Sequence, residues 1–380
     1  MENYWGYQKN KGMRCMNFSR GSIAECFNAR ENNLDLLRLF AAILVIFSHS
    51  FPLSLGSNAS EPFVLFTKGQ ETFGGLGVSI FFVISGFLIT YSFERSANVY
   101  AYMRNRILRI YPALLVVLLI SVFVLGPLVT SLSVKEYLMH PATIKYLESF
   151  MLINMQYSLP GVFENNPYPN AVNGSLWTLW YEMFFYMVVA ILGLTRLLKK
   201  HIIIPLFLAV LFIAEMIDPG MAIYHYIELF KYFSAGMVVY LCRDKIKLNH
   251  FAAIASLAIL CIFAGAGLYR FAFALFGAYL IFHIGFGVPK LFKTFQEKGD
   301  FSYGMYIYAF PVQQTVAYLL EGNITPIQNF VFATPIILGL SILSWFLIEK
   351  KCLALKNKAV FRFAVVFSCS LGLGGKPCLS

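Results

Sequence analysis

Charge is what this sequence lacks most. Only 13% of its 380 residues are Asp, Glu, Lys or Arg, about half the share carried by a soluble globular chain. With 58% hydrophobic residues and a mean hydropathy of +0.67, the composition excludes a soluble enzyme and identifies a polytopic membrane protein. Acidic residues are the scarcer sign, 19 against 30 Lys and Arg, leaving a formal net charge of +11. In a soluble protein that excess would point to nucleic acid; here its distribution reports orientation in a bilayer. The first thirty residues have neither an apolar core nor a small-residue cleavage site, so they are read as a retained polar tail and not a secretory signal. The seven cysteines, Cys15, Cys26, Cys242, Cys261, Cys352, Cys369 and Cys378, have no zinc-like spacing, and no metal site is supported. They fall on the expected cytoplasmic side or within helices, where no disulfide framework is expected. Internal repeats and a separate soluble domain are also missing.

What is present is a series of apolar runs of about 20 residues, the length that crosses a bilayer. Ten occur, over 36–55, 73–93, 111–130, 176–194, 202–217, 222–241, 251–268, 271–288, 301–320 and 329–347. The expected fold is an all-α integral membrane protein, a bundle of about ten transmembrane helices. Of the 30 Lys and Arg residues, 24 fall in alternate connections and the two tails, whereas the opposite side holds only Lys68, Lys135, Lys145 and Arg270. The positive-inside rule then puts both termini in the cytoplasm. The chain divides into a cytoplasmic N-terminal tail (1–33), a membrane domain (34–350) and a cytoplasmic or interfacial C-terminal tail (351–380). Within that last tail the apolar stretch 360–373 is read as interfacial or disordered, not as an eleventh helix. The one long extracytoplasmic segment, 131–174, contains the turn-rich stretch 160–170 and an apolar patch, 150–154, too short to span. It is either an acceptor-binding surface or a merely irregular loop.

Ionisable residues inside spans are costly and mark candidate sites. Arg38 and His49, both in the first apolar run, are eleven residues apart, roughly three turns, so they share a face about 16 Å apart along the axis. Counting from the cytoplasmic boundary puts His49 about 20 Å deep, and Glu182, entering from outside in the fourth run, about 9 Å deep, which brings the two to one level. A carboxylate there would orient the imidazole and raise its basicity. The alternative for His49 is a packing histidine bonded to a backbone carbonyl. Arg38 has two alternatives, snorkelling to lipid phosphates or pairing with Asp35 three residues earlier.

A second cluster is the run 102–112, whose Arg104, Arg106 and Arg109 offer planar forks for phosphate oxygens. Tyr102 or Tyr111 could stack on a base, although the positive-inside rule by itself calls for cations there. In the second span Gly74, Gly77, Ser85 and Gly86 suit close helix packing or leave room for a slender substrate. Lys231 is read as mid-span or interfacial, and Tyr303, Tyr306 and Tyr308 surround Pro311 as packing or cavity-lining groups.

Taken in order, Arg38 and His49, then Gly77-Val-Ser-Ile-Phe-Phe-Val-Ile-Ser-Gly-Phe-Leu88, Arg104-Asn-Arg-Ile-Leu-Arg-Ile-Tyr-Pro112, Asn173-Gly-Ser-Leu-Trp-Thr-Leu-Trp-Tyr-Glu182, Phe301-Ser-Tyr-Gly-Met-Tyr-Ile-Tyr-Ala-Phe-Pro311 and Phe346-Leu-Ile-Glu-Lys350 resemble the acyltransferase-3 family of integral membrane O-acyltransferases. The resemblance runs from about Asn33 to Lys350. It implies a multi-pass protein of the cell (inner or plasma) membrane that moves an acetyl or similar acyl group from cytoplasmic acyl-CoA (acetyl-CoA) to a hydroxyl of an extracytoplasmic or lipid-linked glycan, such as a surface polysaccharide. It implies no role for nucleic acid or metal. Arg38 and His49 would be essential and Glu182 the acidic residue of the fourth helix. On the residues' own chemistry, Arg104, Arg106 and Arg109, together with Arg38, would hold the donor's phosphates. This chain departs from the pattern at Ala309, where many members have a histidine, and it has no fused hydrolase-like domain. The competing reading is a proton-coupled transporter of a small anionic or lipid-linked solute, because His, Glu and Arg in spans also serve proton relays.

Overall fold

All ten apolar runs coincide with helices. The computed structural model describes residues 21–29, 31–292 and 299–357; most of the N-terminal tail and the 360–373 stretch lie outside the described residues. In chain order the helices are α1 (Ile23–Cys26), α2 (Leu34–Leu55), α3 (Pro62–Phe66), α4 (Phe73–Arg95), α5 (Val99–Val129), α6 (Val134–Met139), α7 (Pro141–Lys145), α8 (Trp177–Leu194), α9 (Lys200–Met216), α10 (Tyr224–Leu241), α11 (His250–Ala266), α12 (Tyr269–Phe286), α13 (Ser302–Leu319) and α14 (Pro326–Ala354). Among the described residues there is no β-strand, only two isolated bridges.

Of the ten helices that coincide with the apolar runs, six are long and apolar enough to cross a membrane: α2, α4, α5, α8 with its lead-in turn, α12 and α14. Of the other four, α9 and α11 are 17 residues long, about 26 Å. Polar side chains interrupt α10 at Glu228 and Lys231, and α13 at Gln313 and Gln314.

The largest departure in boundaries is α5. Hydropathy starts it near Tyr111, but the helix begins at Val99, because the Asn98 side chain accepts a hydrogen bond from the Ala101 amide at 2.8 Å and fixes the first turn. Arg104, Arg106 and Arg109 are therefore helical residues on a polar extension of the span. Cys26 is disulfide-bonded, contrary to the expectation for the cysteines, whereas Cys242, Cys261 and Cys352 are free. A bridge requires only local approach of two Cα atoms, which sequence spacing does not forbid.

The helices form two compact units. The first contains the chain up to Ala41, Pro62–Glu94 and Ile191–Gly299. In it α4 and α10 cross in backbone contact: a Cβ on Gly86 would lie 1.9 Å from the Phe233 carbonyl oxygen, and one on Gly236 would lie 2.0 Å from that of Val83. Small residues thus serve close packing here, as the α4 sequence suggests. Lys231 is fully buried, 2.9 Å from Glu228 and 3.2 Å from Glu215. Arg270 pairs with Glu71 at 3.1 Å, so both of these cations are met by carboxylates.

The second unit contains Ala42–Glu61, Arg95–Ala190 and the chain from Asp300. It includes the long connection after α5. That connection is folded: Asn166 donates to Gln314 Oε1 at 2.7 Å, and Gln314 Nε2 donates to the carbonyls of Tyr168 and Ala171 at 2.8 and 2.7 Å. Tyr137 is buried, donates to the Val122 carbonyl at 3.0 Å, and its phenol is pushed up to about 12 by burial. In the 150–154 patch Leu152 is buried while Met151 and Ile153 are exposed.

Candidate active site

The site in the second unit is organised by a proline. Pro311 lies inside α13, has no N–H, and so leaves the Ile307 carbonyl one turn earlier without its helical donor. A buried carbonyl in that position needs another partner. Asn173 supplies it: Nδ2 donates to the Ile307 oxygen at 2.9 Å, while Oδ1 of the same side chain accepts from the Ser175 amide at 3.2 Å. One amide thus ties the turn Gly174–Leu176, which leads into α8, to the middle of α13.

The next residue tightens the contact. A Cβ on Gly174 would come within 2.7 Å of the Phe310 ring, so that ring lies where only glycine fits. Phe310 in turn packs its ring against His49, with centroids 5.3 Å apart and planes at 75°, the edge-to-face arrangement favoured by aromatic quadrupoles. One turn on, Gln313 donates to the Ile46 carbonyl of α2 at 2.8 Å. His49 is half-buried, and its Nδ1 is buried with no hydrogen-bond partner. A buried ring nitrogen without a partner is costly unless a ligand or proton transfer uses it.

Glu182 is half-buried on α8 and accepts a hydrogen bond from Tyr186. His49 and Glu182 share no hydrogen bond. Tyr186 follows Glu182 by four residues on one helix face, a local contact that depth matching between helices does not anticipate. The main chain of Tyr186 accepts from Tyr102 at 3.0 Å, and the Arg106 guanidinium lies over its ring at 5.8 Å. The Arg106 Nε is buried without a hydrogen-bond partner, a feature suited to an anionic ligand. Glu182 is also within electrostatic reach of Tyr303 and Tyr306.

The three arginines of α5 have different surroundings. Arg109 forms ion pairs with Asp300 and, at 3.5 Å, with Glu349, and its guanidinium lies over Tyr303 at 5.6 Å. Ser344 donates to Glu349 at 3.0 Å, and Tyr303 donates to the Ile110 carbonyl at 2.8 Å. With two carboxylates beside it, Arg109 joins α5, α13 and α14. Arg104 is half-buried on α5. Arg38 is half-buried on α2 but belongs to the first unit.

Of the tyrosines beside Pro311, Tyr306 shares a 2.7 Å hydrogen bond with Thr178, and Tyr303, Tyr306 and Tyr308 are all buried. Asn173, Phe310 and Gln313 were not anticipated as site residues. Pro311 carried the available signal: an interior helix proline announces an orphan carbonyl four residues earlier and a polar partner for it.

The chain matches the acyltransferase domain family over residues 31–349. It is 30% identical over 337 residues to a protein named O-acetyl transferase from Shigella phage Sf6, covering 85% of this chain and 96% of that protein. It is 27% identical over 377 residues to Nodulation protein 10 from Rhizobium leguminosarum bv. viciae, covering 90% of this chain and 98% of that one. No solved structure matches it. With its apolar helices and a family match covering most of its length, the chain belongs to the acyltransferase-3 family of membrane acyltransferases.

Proposed function

We propose that the protein transfers an acetyl or similar acyl group from cytoplasmic acyl-CoA to a hydroxyl of an extracytoplasmic or lipid-linked glycan, with His49 as the general base. The buried, unpartnered Nδ1 of His49 carries this reading, and the name of the phage relative, O-acetyl transferase, supports oxygen as the atom acylated. In this reading all ten apolar runs cross the cell membrane and both termini are cytoplasmic. A sugar hydroxyl is a poor nucleophile at neutral pH, and a base within hydrogen-bond reach is worth about 10²- to 10⁴-fold in rate. As the hydroxyl oxygen attacks the thioester carbonyl, its proton passes to a His49 ring nitrogen; the C–S bond then breaks, and the CoA thiolate recovers the proton from the imidazolium.

Arg106, with its buried Nε, and Arg104 would hold the donor's phosphates. Arg109, already flanked by Asp300 and Glu349, would hold that end of the site together. Glu182, bonded to Tyr186, would act beside the reacting groups as an electrostatic partner. The 131–174 connection would present the acceptor. Purified protein given labelled acyl-CoA and a glycan acceptor should release CoA and label the acceptor. Solute flux with no CoA consumed would favour a carrier instead.

A further inference from the structure

The geometry points to Phe310 as the positioning residue that fixes the His49 ring, with Gly174 as the seat that fixes Phe310; this rests on the assignment of His49 as the base. A histidine that moves protons must hold its ring in one orientation, usually by bonding the second nitrogen to a carboxylate or carbonyl. Here that device is not used. The Nδ1 of His49 has no hydrogen-bond partner, and the hydrogen bond that Glu182 accepts comes from Tyr186. The imidazole instead packs against the Phe310 ring, set at 75° to it with centroids 5.3 Å apart.

Phe310 is itself held on two sides by the polypeptide that leads into α8. Gly174 leaves no space for a Cβ, which would lie 2.7, 3.0 and 3.2 Å from three atoms of the ring. The Tyr168 ring meets Phe310 edge-on, 6.1 Å away at 77°. Asn173, the neighbour of Gly174, is locked to the carbonyl that Pro311 orphans. The order of constraint therefore runs from Pro311 and Asn173 to Gly174, then to Phe310, and then to His49. Each step depends on a residue type: a proline to free the carbonyl, an amide to take it, a residue with no side chain to admit the ring, and an aromatic edge to stand against the imidazole. The same series links the 131–174 connection to the base, because Tyr168 belongs to it and is anchored through Gln314.

An ångström of misplacement at a reacting group costs on the order of 100-fold in rate. Phe310→Leu keeps apolar volume but removes the aromatic edge. It should lower kcat about 10- to 100-fold with the KM for acyl-CoA unchanged, and it should displace the limb of the pH–rate profile that reports the base. Phe310→Tyr keeps the ring and should restore most of the rate. Gly174→Ala should fall in the same direction, and Gly174→Ala combined with Phe310→Leu should lose less than the two single losses multiplied together, because leucine gives the new methyl room.

The decisive comparison uses full-length purified protein with a His49→Ala background alongside. If Phe310 acts through the base, Phe310→Leu costs little more once His49 is gone. Equal loss from Phe310→Leu in both backgrounds, or an unchanged pH profile with a rate like that of the parent, would overturn the inference while leaving His49 as the base. A His49→Ala protein that keeps the parent's rate would overturn the underlying reading itself. Monodispersity and melting temperature of each variant separate these outcomes from misfolding, and Gly174→Ala in both backgrounds provides the test if Phe310→Leu does not fold.

Discussion

Asn173→Ala should destabilise the protein, and Pro311→Ala should remove most of that penalty. In the parent, Asn173 Nδ2 satisfies the Ile307 carbonyl at 2.9 Å and its Oδ1 caps the Ser175 amide at 3.2 Å; both Asn173 and Ile307 are fully buried. Truncation leaves a buried acceptor unsatisfied, which costs about 1–3 kcal/mol. It also removes a cap worth about 1 kcal/mol. Together these amount to about 2–4 kcal/mol, a fall in melting temperature on the order of 5 °C or more. With alanine at 311 the helix regains an N–H opposite the Ile307 oxygen. In that background Asn173→Ala should cost only the cap, and the coupling between the two sites should be about 1–3 kcal/mol. Thermal unfolding of the parent, both single variants and the double variant in one detergent closes the cycle. If Asn173→Ala costs the same with proline or alanine at 311, the orphaned carbonyl is not what Asn173 serves.

Arg109→Ala breaks a largely buried ion pair with Asp300 and Glu349; it should destabilise by about 3–5 kcal/mol and reduce the yield of folded protein. Arg106→Ala should instead leave melting nearly unchanged and raise the KM for acyl-CoA in steady-state kinetics. Gly236→Ala forces a methyl against the Val83 carbonyl at 2.0 Å, whereas Gly339→Ala meets nothing within 4 Å. Overpacking should cost the first about 1–3 kcal/mol or more, while the second should be neutral or gain up to about 1 kcal/mol of helix propensity, read as opposite shifts in melting temperature. Lys231→Met leaves Glu228 and Glu215 facing no ammonium; it should cost about 3–5 kcal/mol, and adding Glu228→Gln should recover part of the lost thermal stability.

Much of the helical layout was legible because a bilayer imposes one length scale and one polarity, and apolar runs of that length have few other uses. The α5 start was missed for the same reason: hydropathy detects where a helix is apolar, whereas Asn98 decides where it begins. Among the site residues, His49 and Glu182 stood out because ionisable groups are rare in spans. Their separate surroundings did not, since a local Tyr186 contact competes with any partner on another helix. Nor could the sequence distinguish Arg109 from Arg104 and Arg106, because its partners Asp300 and Glu349 come from distant stretches of chain. The role of Phe310 depends on the absence of a side chain at Gly174, which a reading of polar groups passes over.

His49 is proposed to remove the acceptor proton. The most direct test is acceptor-dependent CoA release by purified full-length protein, parent against His49→Ala, at matched folding and saturating acyl-CoA. His49→Ala should lose about 10²- to 10⁴-fold in kcat with melting temperature and acyl-CoA KM near those of the parent. A His49→Ala protein that releases CoA and labels the acceptor at close to the parent's rate would contradict it.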